Sequence, residues 1–137
     1  MDWKECCSRR IAKDVKPDIG MIASLTKSSK NKSYSESKLE MSNTTASSKL
    51  SLAYDSLREL LEVLSLKNGF KIYNHECYVA FLKEVMKESY KADEFNEIRK
   101  VRNAVNYYGK DITVGEASEI ITKIKKLAVS IAELLGK

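Results

Sequence analysis

A chain of 137 residues is long enough for one domain with a real core. With 43% hydrophobic and 31% charged residues, its composition excludes a disordered or fibrous chain. Net charge is +5, with 19 Lys and 5 Arg interspersed among 19 acids, so an anionic partner is tolerated but not demanded.

One proline and five glycines give few turn signals, which favours helices over a sheet that must turn every few residues. Cys6, Cys7 and Cys77 are odd in number and form no CxxC pair. They match neither a zinc site nor a disulfide framework and read as small buried residues of a reducing cytosol. No apolar run approaches the roughly 18 residues of a membrane span, and MDWKECCSRR does not resemble a signal peptide. A cytoplasmic chain without a membrane partner is therefore expected.

Trp3, Cys7, Ile11 and Val15 recur every four residues and predict a helix over 2–15. Pro17 ends it and suits the first turn of a second helix, with Ile19, Ile22, Ala23 and Leu25 as its buried side. The serine-rich stretch 26–48 is either linker or helix. The preferred reading places a break near Lys30–Ser33 and then one long helix through Leu66. This divides the single domain into N-terminal helices, 1–32, and a core, 34–137.

Leu50, Ala53, Leu57, Leu60, Leu61 and Leu64 step by three and four, predicting a helix that Gly69 terminates. Asn74 caps the next helix, to about Tyr90, with Tyr73 able to staple onto Tyr78. Asp93 caps a further helix with the stripe Phe95, Ile98, Val101 and Val105, closed by Gly109. Tyr108 continues that stripe as core, whereas Tyr107 is the tyrosine expected to be exposed. Thr113-Val-Gly-Glu116 is a capping box for the last helix. The fold class is all-α, an antiparallel up-and-down bundle of about five helices.

The segment RKVRNAVNYYGK, residues 99–110, carries the chemistry. Helical spacing puts Arg102 beside the inward stripe, where its permanent charge needs an anionic or acceptor partner. That partner is a carboxylate such as Glu76, a nearby helix-end carbonyl, or a ligand phosphate. Lys110 adds a mobile positive charge after the turn.

Arg102-Asn103, followed five positions after the arginine by Tyr107, resembles the signature of the HEPN superfamily (higher eukaryotes and prokaryotes nucleotide-binding) of helical bundles. That signature has an arginine, often an asparagine after it, and a histidine where Tyr107 stands. The resemblance spans about residues 35–135. It implies a homodimer, a nucleotide- or RNA-binding role, and a small nucleotidyltransferase as partner in a toxin–antitoxin-type pair.

In active members it also implies a metal-independent ribonuclease, with the arginine on the scissile phosphate and the histidine moving a proton. Tyr107, with an ordinary pKa near ~10, is a poor base. The only histidine, His75, starts a helix antiparallel to the one ending at Gly109, so His75 and Tyr107 can share one pocket.

The candidate phosphate- or nucleotide-binding residues are therefore Arg99, Arg102, Asn103, Tyr107 and Lys110. Arg102, His75 and Tyr107 are the candidates for any catalysis. No metal site and no cofactor are expected. The alternatives are a ribonuclease with a divergent site or a non-catalytic interaction bundle.

Overall fold

The computed structural model describes residues 1–136. It is an all-α bundle built around the leucine-rich helix. In chain order the helices are α1 Trp3–Ser8, α2 Ile19–Lys38, α3 Ala46–Lys67, α4 His75–Ala80, α5 Ser89–Tyr107 and α6 Val114–Leu135. A π-helical turn, Phe81–Val85, follows α4, and two short strands, β1 Ala12–Asp14 and β2 Phe70–Ile72, pair antiparallel.

Helix α3 is the axis of the fold. Leu50, Tyr54, Leu57, Leu61 and Leu64 are all buried along it, and α2 and α6 pack on it. Helix α6 offers the most regular apolar face, with Ala117, Ile120, Ile121, Ile124, Leu127 and Ile131 inward. It starts at the expected capping box: Thr113 Oγ1 accepts from Glu116 N, and Glu116 Oε1 accepts from Thr113 N, each at 3.1 Å.

Gly69 follows α3 with φ +87°, a left-handed turn that only glycine makes cheaply. Asn74 Oδ1 accepts from Glu76 N at 2.7 Å and caps α4, as expected from its position.

Several local expectations are corrected. The first helix stops at Ser8 because the chain turns through Arg10 at φ +59° and becomes β1. Cys6, not Cys7, faces inward, and it is bonded to Cys77 as a disulfide, while Cys7 is the free, exposed cysteine. No spacing motif announces a pair separated by 71 residues.

Helix α2 runs unbroken through Lys30–Ser33 and ends at Lys38. The turn before α3 is tied instead by Ser42 and Thr45, whose backbone and hydroxyl groups bond each other. Ile19, expected on the buried side, is exposed. Helix α5 begins at Ser89, ahead of Asp93, because Lys87 at φ +58° has already broken the chain direction.

Helix α2 has few apolar residues, and buried polar pairs join it to the bundle. Ser29 Oγ donates to Ser56 O at 2.7 Å. Glu36, only 2% exposed, receives Lys49 at 2.6 Å and Lys125 at 2.7 Å. Glu59 receives Lys32 at 2.8 Å. No helix among the described residues is long and apolar enough to cross a membrane.

Candidate functional site

The start of α4 and the end of α5 lie at one end of the bundle. Between them opens a cleft of about 320 Å³, lined by Tyr73, Asn74, His75, Glu76, Arg99, Arg102, Asn103 and Tyr107. Five of the sequence candidates, His75, Arg99, Arg102, Asn103 and Tyr107, thus converge. Lys110 does not join them. It lies beyond Gly109, 3.7 Å from Glu116, on a neighbouring cavity with Asn43 and Ser47.

Arg102 is held between two tyrosines. Its guanidinium carbon lies 4.8 Å from the centre of the Tyr54 ring and 5.0 Å from that of Tyr107. Its Nη1 donates to Tyr107 Oη at 2.9 Å and weakly to Asn103 Oδ1 at 3.4 Å. Its enclosed Nε–H has no acceptor among the described residues. Aromatic faces attract a cation without neutralising it, so the positive charge remains available.

Arg99 is fixed by Asn96 Oδ1, at 2.9 Å from Nη2. Among the described residues no carboxylate lies in ion-pair range of Arg99 or Arg102. Glu76, the carboxylate considered for Arg102, bonds the N-terminal ammonium at 3.5 Å instead. Arg58, one helix away, takes Glu62 at 2.7 Å.

His75 Nδ1 is 2.9 Å from the hydroxyl of Tyr54. Burial, then the charges of Arg58, Arg102 and Arg99, push its pKa down to about 4, against a smaller opposing effect of Asp55. The ring is therefore neutral at pH 7. A helix start also disfavours imidazolium, but desolvation is the larger cause. Burial likewise raises the phenol pKa of Tyr54 and of Tyr78, so both stay protonated.

Tyr107 is 66% exposed, as expected, and Tyr108 is 82% exposed rather than core, because α5 ends at Tyr107 and the apolar stripe ends with it. Beyond Tyr107 the surface continues into an open trough of about 590 Å³, lined by Ser47, Ser48, Ser51, Leu52, Val105 and Asn106. A separate cavity beside the β1–β2 pair is lined largely by Val15, Met21, Leu66 and Tyr73, and its Lys71 is taken by Glu62.

Sequence reasoning missed Tyr54, which touches both His75 and Arg102. The signal was present: Tyr54 is four residues after Leu50 and three before Leu57, an aromatic with a polar tip inside a leucine stripe. No group of His, Cys, Asp or Glu among the described residues is arranged to hold a metal ion. No family model matches the chain, and no match was found among curated proteins or solved structures.

Proposed function

We propose that the cleft binds the phosphate of a nucleotide or of single-stranded RNA, with Arg102 as its anchor and Arg99, Asn103 and Tyr107 around it. The observation that carries this reading is the pair of arginines on an open cleft with no carboxylate of the described residues in ion-pair range of either, Glu76 at the same cleft being paired with the N-terminal ammonium. Among the described residues all three buried glutamates, Glu36, Glu59 and Glu62, are matched by cations. A charge left unmatched where pairing is the rule favours an external anion.

Tyr107 offers an exposed ring for base stacking, which any nucleobase can use. The trough beyond it has room and hydrogen-bonding groups for a second nucleotide. The resemblance of Arg102-Asn103 to the HEPN signature agrees with this ligand class. It also suggests a homodimer and a nucleotidyltransferase partner, which light scattering and co-expression would test.

The direct test is titration with AMP and with a short single-stranded RNA. Arg102→Ala should weaken binding by about tenfold or more, the loss typical of a hydrogen bond to a charged group. Unchanged affinity in a folded Arg102→Ala protein counts against the proposal.

The convergence of His75, Arg102 and Tyr107 on one cleft favours a second reading, a metal-independent ribonuclease. A histidine titrating near 4 is a weak base at neutral pH, which places this reading behind simple binding. Cleavage of labelled single-stranded RNA by the pure protein, lost in Arg102→Ala, would reverse that order.

A further inference from the structure

Tyr54 is fully buried, and its hydroxyl has one hydrogen-bond partner among the described residues, His75 Nδ1 at 2.9 Å. Two proton arrangements fit that distance. If Nδ1–H donated to the phenol oxygen, the phenol hydrogen would be a buried donor with no acceptor in the described chain. Folded proteins avoid that state. If the phenol donates to the Nδ1 lone pair, both atoms are satisfied. The ring's own hydrogen then sits on Nε2. Nε2 makes no hydrogen bond within the described chain, is not among the enclosed polar atoms, and belongs to a side chain lining the cleft.

We infer that Tyr54 fixes His75 as the Nε2–H tautomer, so that His75 meets the cleft as a hydrogen-bond donor to an anion and not as a proton acceptor.

The neighbours complete a donor surface. The guanidinium of Arg102 can only donate. Tyr107 Oη accepts from Arg102, which leaves its own hydrogen free to point outward. Of the nearby side-chain acceptors, Asn74 Oδ1 is engaged by Glu76 N–H, Asn103 Oδ1 by Arg102 and Glu76 Oε1 by the N-terminal ammonium, while Glu76 Oε2 has no partner among the described residues. The donors of Arg102, His75 and Tyr107 select a group rich in oxygen lone pairs, such as a phosphodiester or pyrophosphate. The ligand half of this inference rests on reading the cleft as an anion site; the tautomer does not.

With one histidine in the chain, long-range nitrogen NMR of the imidazole reads His75 alone. At pH 7 the proton is expected on Nε2, and inorganic pyrophosphate should shift that nitrogen. Tyr54→Phe should release the constraint and give mixed tautomers. His75→Gln retains an N–H donor and should bind pyrophosphate within about threefold of the unmutated protein, whereas His75→Leu should bind about tenfold more weakly.

A ring protonated on Nδ1, with pyrophosphate still held through Arg102, overturns the inference and leaves the anion site standing. So does a His75→Leu protein that binds as tightly as the unmutated one. An Nε2–H ring in a protein that binds no pyrophosphate overturns the anion-site reading itself.

Discussion

Arg102 lies over the ring of Tyr54, its guanidinium carbon 4.8 Å from the ring centre. A lysine keeps the charge but loses the planar stacking group and the fork of donors. Arg102→Lys should therefore weaken nucleotide binding about tenfold by calorimetry. Folded stability should change by only about 1 kcal/mol, the scale of a cation–π contact. Undiminished affinity in the lysine variant would show that charge alone, without the tyrosine platform, is what the cleft uses.

His75 makes the fold sensitive to mild acid. The unfolded chain takes up its histidine proton near the ordinary 6.5, and the folded chain only near 4. Between those values the unfolded state binds more protons, so stability is complete above 6.5 and falls as pH drops toward 4. The loss is on the order of 2–3 kcal/mol. His75→Gln cannot titrate, and its denaturant midpoint should be flatter across this window. Parallel curves for the two proteins would rule out His75 as the source.

Below that window the buried glutamate of α2 takes over. Burial alone would raise the Glu36 carboxyl, but hydrogen bonds and charge from Lys125 and Lys49 outweigh it and hold it below the usual glutamate range. Its stabilisation is present above the ordinary value and is lost as pH falls through the folded one. Because polar pairs rather than a broad apolar face dock α2, its amides should exchange with solvent earlier than those of α3 as pH is lowered. Glu36→Ala leaves Lys49 buried without its carboxylate and should cost about 3–5 kcal/mol in urea unfolding. Simultaneous exchange of α2 and α3 at every pH would contradict this view of α2.

The elements with a single dominant cause were legible in the sequence. Periodic leucines gave α3, the Thr113–Glu116 box started α6, and Gly69 and Asn74 bounded the chain reversal. The cleft was legible because helix order alone brings His75 and Tyr107 to one end. What escaped was set by tertiary partners. The Cys6–Cys77 bond and the β1–β2 pair join segments far apart in sequence. The extent of α2 depends on Glu36 finding Lys49 and Lys125, since serine-rich sequence has no strong local preference. Tyr54 looked like one more stripe residue until its hydroxyl and ring face acquired separate partners.

The disulfide ties α1 to the helix that begins at His75. Cys77 is two residues after His75 in a six-residue helix, too short to persist without tertiary support. Cross-linking residues 71 apart removes chain entropy from the unfolded state, a stabilisation of roughly 4 kcal/mol. Without reductant, a thiol reagent should find one cysteine in the folded protein, Cys7, and after reduction and unfolding, three. Burial, then the charge of Asp14, raises the Cys7 thiol above its ordinary pKa, so it should react slowly at pH 7 and faster as pH rises. Cys6→Ala should lower the melting temperature to that of the reduced protein. It should also speed amide exchange in the first turn of α4, where His75 sits. A reduced protein as stable as the oxidised one, with α4 equally protected, would show that Trp3, packed 5.1 Å from Phe70, anchors α1 without the bond.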